Sequence, residues 1–203
     1  MFDPEKRDYR NFASFEIRKA EEGEEQRYIV EGYASTFNEP YTLFTDEDGN
    51  EYREQVAPEA FDGADLSDVI FLYNHEGMVY ARQKNGTLQL STDEHGLKVV
   101  ADLGLTEDSR RMYEAIASGL VDQMSFAFTV EKDEYDKKTK TRTIRGFRKI
   151  YDVSAVSIPA NPGTDISVKR FIDGVIEEER QELLKAEAAE KQKQRIRILT
   201  EVL

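Results

Sequence analysis

The only imidazoles in this chain of 203 residues are His75 and His95, and the chain contains no cysteine. A reaction that needs a base near neutral pH therefore has two candidates, whereas a thiol nucleophile, a disulfide and a thiolate metal site are excluded. His95 stands in DEHG, which is typical of an exposed polar turn. His75 follows the apolar run DVIFLY in the segment NHEG (74–77), where a strand gives way to a turn. Scaffolds often present reactive side chains at such strand ends.

Ser125 and Asp152 are the candidate partners of His75. Ser125 in GLVDQMSFAF comes shortly after a predicted helix and near the start of a predicted strand, and a neighbouring imidazole could activate its hydroxyl. Asp152 in YDVSAVSIPAN is the only acid between Lys149 and Asn161 and could orient that imidazole. The residues alone leave structural interpretations open: a histidine bonded to nearby backbone, a serine on the polar face of a strand, and an aspartate at a strand edge facing water.

The elements that must position these residues are mostly short strands, because alternating or short apolar segments are separated by Gly, Asn, Asp and Pro. We predict strands at 12–19, 27–36, 68–73, 87–92, 96–103 and 124–132, with a hairpin between the fourth and fifth. A further β-rich stretch runs through TRTIRGFRKIYDVSAVSIPANP and ends at its prolines. One internal helix is predicted, because Thr106 can cap its start and Gly119 can end it.

A second helix is predicted after Gly174, where the chain is free of Gly and Pro and rich in helix formers. Its apolar residues form a sparse stripe: Ile176, Leu183, Leu184, Ala188, Ile198 and Val202. We therefore expect an N-terminal arm at 1–11, a globular domain at 12–170 and a helical C-terminal tail at 171–203. The tail could dock on the domain, bind a partner or remain solvated.

Charge and composition exclude several classes of function. A formal net charge of -13 should repel nucleic acid and anionic lipid. The N-terminus lacks the apolar stretch of a signal peptide and no later run has the length of a membrane span, so we expect a soluble protein that is not exported. The two histidines show no HExxH spacing, which disfavours a metal hydrolase. We expect neither a cofactor nor a metal.

Six segments, in this order, resemble the Caudovirus prohead serine protease family. They are EGYASTFN (31–38), EQVAPEAF (54–61), LYNHEG around His75, GTLQLSTDEHGL (86–97), GLVDQMSFAF around Ser125, and YDVSAVSIPANPGT (151–164). The resemblance implies an α+β, mainly β fold like that of herpesvirus assemblin, a closed or partly open β-barrel with peripheral helices, followed here by the long C-terminal helix. It also implies His75 as base and Ser125 as nucleophile, with Asp152 at an acidic position where Glu is common.

The function implied by this resemblance is a serine endopeptidase of phage or prophage origin that matures the prohead. Its expected substrates are the major capsid protein with its scaffold region and the enzyme itself, and its expected location is the host cytoplasm, inside the prohead. A homo-oligomer, in particular a dimer, is the expected assembly, without nucleic acid or membrane as partners. The alternative is a non-catalytic scaffold or adaptor of the immature capsid built on the same fold, but the presence of His75, Ser125 and Asp152 together disfavours it.

Overall fold

The structure, a computed structural model, describes residues 8–18, 28–46, 48–157, 174, 177–178, 180–182 and 184–193. The chain divides into two units, one of residues 3–165 and one of residues 1–2 with 166–203. The described residues of the first unit contain eleven strands: β1 (Asp8–Ser14), β2 (Glu16–Arg18), β3 (Ile29–Thr36), β4 (Tyr41–Thr45), β5 (Glu51–Val56), β6 (Ile70–Tyr73), β7 (Glu76–Arg82), β8 (Leu88–Thr92), β9 (Gly96–Asp102), β10 (Gln123–Asp136) and β11 (Thr141–Val156). Its α-helix, α1, spans Glu107–Ala117, and short 3-10 turns lie at Pro58–Phe61 and Gln83–Asn85.

The larger sheet has seven strands and is centred on the long hairpin of β10 and β11. Its main path runs β1-β10-β11-β5-β4, and β6 pairs with both β11 and β7. One end of β11 pairs in parallel with β5, and the other end pairs in parallel with β6. Between these two contacts, the amide of Asp65 donates to the carbonyl of Arg148 at 2.9 Å, and the amide of Ile150 donates to the carbonyl of Asp65 at 3.1 Å. This bridge fills the gap on the edge of β11 between β5 and β6.

Four phenylalanines form the aromatic core beneath the hairpin. Phe126 and Phe128 on β10 stack with ring centroids 4.6 Å apart, and Phe147 on β11 packs on Phe128 at 4.8 Å. Phe61 closes the cluster at 4.6 Å from Phe147. Because these rings occupy one face of β10, its other face is left to Ser125 and Ala127.

A buried ionic cluster ties three strands of the larger sheet together. Glu54 of β5, which is fully buried, accepts from Arg10 Nε of β1 at 2.6 Å and from Arg142 Nη1 of β11 at 2.8 Å. The hydroxyl of Tyr41 also donates to Glu54. Burial opposes the ionisation of Glu54, but the two guanidiniums outweigh it and lower the pKa of Glu54 from 4.5 to about 2. The carboxylate is therefore held charged inside the protein.

The smaller sheet has the strand order β2-β3-β9-β8. Its β8–β9 hairpin turns through residues 93–95, where Asp93 Oδ1 accepts from the amide of His95 at 2.8 Å. Gly96 begins β9 against the backbone of β3, and a Cβ at Gly96 would stand only 1.9 Å from the carbonyl oxygen of Ser35. Glycine is required at this position because no side chain fits between the two strands.

Helix α1 begins and ends as its capping residues predict. Thr106 accepts from the amide of Ser109 at 3.1 Å, and Gly119, with φ of +75°, ends the helix in the left-handed conformation. Met112 and Ile116 are buried, and the hydroxyl of Ser109 donates to the carbonyl of Tyr80 on β7 at 2.8 Å. The helix therefore packs on β7, and the chain continues from its end into β10.

The prediction of a mainly β fold with few helices is confirmed. Among the strands that the structure describes there is no closed barrel, because they form two separately hydrogen-bonded sheets. The predicted strand 12–19 is divided at Phe15 into β1 and β2, and β1 begins at Asp8, inside the stretch expected to be an arm. The strands β4, β5 and β7 have no counterpart among the predicted strands.

The C-terminal residues that the structure describes, between 174 and 193, are helical and exposed, and Leu184 is one of them. The stripe positions Ile176, Leu183, Ile198 and Val202 lie outside the described residues. Within the described parts of the chain, none of the helices is long and apolar enough to cross a membrane.

The first test concerns the buried carboxylate. Glu54→Gln should lower the free energy of unfolding at neutral pH by about 3–5 kcal/mol, because it removes the charge shared by two buried guanidiniums. Since the pKa of Glu54 is lowered from 4.5 to about 2, its contribution is complete above about pH 4.5 and is lost as the pH falls towards 2. The difference between wild type and variant, measured by urea unfolding, should shrink over that window.

The matched control is Glu51→Gln on the same strand, which removes an ion pair with Arg53 whose side chains are 47% and 48% exposed. It should change the free energy of unfolding by less than about 0.5 kcal/mol at every pH. A difference between wild type and Glu54→Gln that stays constant from about pH 5 to about pH 2.5 would contradict the role of this charge.

Candidate active site

Two neighbouring strands present a buried strip of polar side chains. Ser125 on β10 stands opposite Ser154 on β11, and Ala127 stands opposite Asp152. Side chains two residues apart on a strand share a face, so Asp152 and Ser154 lie on the same side of the sheet as Ser125. The exposed fractions of Ser125, Asp152 and Ser154 are 0%, 3% and 0%. Buried polar groups need partners, and these residues find them in each other and in one residue from a nearby turn.

His75 reaches this strip from the turn between β6 and β7. Tyr73 pairs with Glu76, so the turn consists of Asn74 and His75 alone, with φ of +49° and +61°. Positive φ at both positions defines a type I′ hairpin, in which the second position favours glycine. The amide of Asn74 donates to the carbonyl of Ala155 at 2.9 Å and fastens the turn to the end of β11. A histidine held in this conformation is a local strain of the kind that concentrates at functional sites.

The imidazole of His75 lies between the two predicted partners. Its Nδ1 is 2.6 Å from Asp152 Oδ1, and its Nε2 is 2.7 Å from Ser125 Oγ. An ionised carboxylate can only accept, so Nδ1 carries the proton in the neutral ring and Nε2 is left to accept from the serine hydroxyl. The geometry can therefore move a proton from Ser125 to His75 while Asp152 holds the ring in one tautomer.

Two further residues at this site have no place among the sequence-based candidates. The hydroxyl of Ser154 donates to Asp152 Oδ1 at 2.7 Å and lies 3.2 Å from His75 Nδ1. Its only sequence signal was its position two residues after Asp152 on a predicted strand. The ring of Tyr9 on β1 packs edge-on against His75, with centroids 4.5 Å apart and planes at 63°. Nothing in the sequence around Tyr9 pointed to this contact.

His95 lies apart from this strip, in the β8–β9 turn of the other sheet. Its ring contacts Tyr33 at 4.6 Å between centroids, and its amide is held by Asp93. The described residues contain no group of three or more His, Asp or Glu side chains arranged to hold a metal ion.

Comparison with known proteins gives two matches and one negative result. A model of the family described as Caudovirus prohead serine protease matches residues 13–177. The protein named prohead protease of Enterobacteria phage HK97 is 29% identical over 157 residues, which cover 75% of this chain and 65% of the phage protein. The chain therefore spans slightly less than two thirds of that relative. No solved structure gives a significant match.

The strained turn supplies a test that is independent of activity. His75→Gly and His75→Ala both remove the imidazole, but only glycine adopts φ of +61° without steric cost. The glycine variant should therefore be more stable than the alanine variant by about 1 kcal/mol, measured as the difference in free energy of unfolding in urea.

The control is the same pair of substitutions at Glu76, an exposed residue at the start of β7. The order should reverse there, with alanine the more stable, because glycine loses more conformational freedom in a strand. An alanine variant at position 75 as stable as the glycine variant would show that the turn is relaxed.

Proposed function

The chain belongs to the Caudovirus prohead serine protease family, and we propose that it is a serine endopeptidase with Ser125 as nucleophile, His75 as base and Asp152 as the acid that orients the base. The observation that carries this proposal is the position of the imidazole, within 2.7 Å of both partner oxygens. A serine or a histidine with a purely structural role does not require this arrangement. Nucleophilic catalysis by a serine does require it.

Acylation begins when Ser125 Oγ attacks the carbonyl carbon of a peptide bond. His75 Nε2 takes the hydroxyl proton as the C–O bond forms, and the carbonyl electrons move to the oxygen of a tetrahedral intermediate. Asp152 stabilises the imidazolium through its bond to Nδ1–H. The C–N bond then breaks as the imidazolium gives its proton to the leaving amine, which leaves an acyl-enzyme on Ser125.

Deacylation repeats these steps with water. His75 Nε2 takes a proton from the attacking water, the second tetrahedral intermediate collapses, and the proton returns to Ser125 Oγ as the ester bond breaks. Because the exposed fraction of Ser125 is 0% and the His75 side chain is 14% exposed, a substrate carbonyl can reach the nucleophile only after a local movement around the site.

The substrates in this proposal are the major capsid protein with its scaffold region and the protease chain itself, cleaved inside the prohead in the host cytoplasm. The family description and the name of the phage HK97 relative support this assignment. We include in the proposal an assemblin-like relationship of the fold, which the mainly β body and the order of His75 before Ser125 support. The alternative of a non-catalytic capsid scaffold is separated from it by the first experiment below.

The decisive experiment is coexpression with the neighbouring capsid gene product, with new termini mapped by mass spectrometry. Ser125→Ala and His75→Ala should abolish detectable cleavage, since each loss costs roughly a millionfold in such triads. Asp152→Asn should leave slow cleavage, because the acid orients the ring and forms no bond to the substrate; a loss of roughly ten-thousandfold is expected.

The control is His95→Ala, which removes the other histidine from a turn outside the site and should cleave as wild type does. Equal cleavage by wild type and Ser125→Ala would end the serine protease proposal. If a well-folded wild type and all the variants, each expressed with the capsid protein, give no cleavage, the scaffold alternative is favoured.

The helical tail is proposed to serve self-association. The support is its exposed helical residues, among which Leu184 is 51% exposed. Truncation after Asp173 should lower the particle mass measured by light scattering to that of a monomer, while cleavage of an unstructured peptide is retained. Unchanged mass and unchanged capsid processing would show that the tail has no part in assembly.

A further inference from the structure

We propose that Ser154 is a positioning residue for the candidate triad, acting through the carboxylate of Asp152 and the imidazole of His75. This inference rests on the proposed function. Its basis is a closed triangle of three polar atoms: Ser154 Oγ lies 2.7 Å from Asp152 Oδ1, Asp152 Oδ1 lies 2.6 Å from His75 Nδ1, and Ser154 Oγ lies 3.2 Å from that same nitrogen.

The direction of each hydrogen bond follows from which groups can donate and which can only accept. Asp152 accepts only, so the single hydroxyl hydrogen of Ser154 points at Oδ1 and the hydrogen on His75 Nδ1 points at the same oxygen. The lone pairs of Ser154 Oγ then face the Nδ1–H, which makes Oγ a second, longer acceptor for that hydrogen. Ser154 can accept from Nδ1 only while Nδ1 is protonated, so it favours the tautomer that leaves Nε2 free for Ser125.

The position of Ser154 is fixed by the sheet and not by the triad itself. It stands between Ser125 on β10 and Leu72 on β6, its exposed fraction is 0%, and its neighbour Ala155 holds the amide of Asn74 at the base of the His75 turn. A hydroxyl held on both sides by strands has few rotamers to lose when it binds Asp152. Through Ser154, the sheet thus orients the carboxylate of Asp152, whose side chain is one methylene shorter than that of glutamate.

Ser154 also weakens the negative charge of Asp152 Oδ1, the oxygen that faces the imidazole. It donates to Oδ1, the oxygen that faces His75, so it withdraws negative charge from the atom that stabilises the imidazolium. Ser154 Oγ also accepts from Nδ1–H, which favours the protonated ring, but this contact of 3.2 Å is longer and weaker than the 2.7 Å bond to Oδ1. Loss of the hydroxyl should therefore, on balance, strengthen the attraction of Asp152 for a protonated ring while loosening the orientation of both groups. Catalysis should therefore slow, and the acidic limb of the pH–rate profile should move to higher pH.

The test measures covalent labelling of Ser125 by a fluorophosphonate probe in the purified full-length protein. The rate is followed across the pH range, the modified residue is identified by mass spectrometry, and each rate is divided by the folded fraction. Ser154→Ala should slow labelling about tenfold, as expected for the loss of one hydrogen bond at the reacting group, and should shift the acidic limb to higher pH. Ser154→Thr, which retains the hydroxyl, should restore the limb and most of the rate.

Two variants keep the test decisive. Ser154→Cys retains the volume with a weak donor and replaces the alanine variant if that variant does not fold. Ser35→Ala removes another buried serine, whose hydroxyl faces the carbonyl of Thr36 at 3.4 Å in the other sheet, and should leave the profile unchanged.

A labelling profile of Ser154→Ala or Ser154→Cys that superimposes on that of wild type would overturn this inference and leave the proposed function intact. Absence of labelling in wild type, or equal labelling of Ser125→Ala, would overturn the proposed function and this inference with it. A lower stability of Ser154→Ala with an unmoved acidic limb would reduce Ser154 to a packing residue and would also overturn the inference.

Discussion

The register between β10 and β11 is the constraint on which the candidate site depends. It sets Ser125 opposite Ser154 and Ala127 opposite Asp152, and a slip by one residue would turn these side chains to the opposite face of the sheet. The aromatic residues on the other face resist such a slip, because Phe126 and Phe128 would have to leave a packed cluster for the polar strip. The chemistry on one face of the hairpin is therefore held in place by packing on the other.

The buried ionic cluster adds a second fixed point to the same sheet. Glu54 joins Arg10 of β1 to Arg142 of β11, so the strand that carries Tyr9 to the ring of His75 is attached to the far end of the strand that carries Asp152. Removal of three charges from water is costly, and the pairing offsets this cost only when all partners are present. A cluster of this kind disfavours arrangements of the strands that would separate its partners.

Local features of the fold could be predicted from the sequence, and long-range ones could not. Thr106 and Gly119 mark the helix ends because capping depends on adjacent residues. The strand β5 was missed because EYREQV reads as polar, and Glu54 is buried only through arginines 44 residues before it and 88 residues after it. Periodicity contains no information on such partners.

The same limit applies to the candidate site. His75, Ser125 and Asp152 could be named only because the segments around them resemble a known family, since each had a structural interpretation when taken alone. Ser154 was not predicted because its partners, Asp152 and His75, are 2 and 79 residues away. The role of Asp152 was itself uncertain without the fold. What brings these residues together is the parallel pairing of β6 with β11, which no local pattern encodes.

The left-handed turn that carries His75 has a consequence for how sequences of this kind change over time. A side chain with φ of +61° is disfavoured by the backbone, and under the proposed function it is kept for its chemistry. In a gene copy kept for its fold but released from selection for proteolysis, mutation to Gly or Asn at position 75 would improve folding at no cost in function. Ser125 has no such conflict with its strand. If the proposed roles hold, inactive descendants that keep the fold should therefore lose the proposed base, His75, before the proposed nucleophile, Ser125.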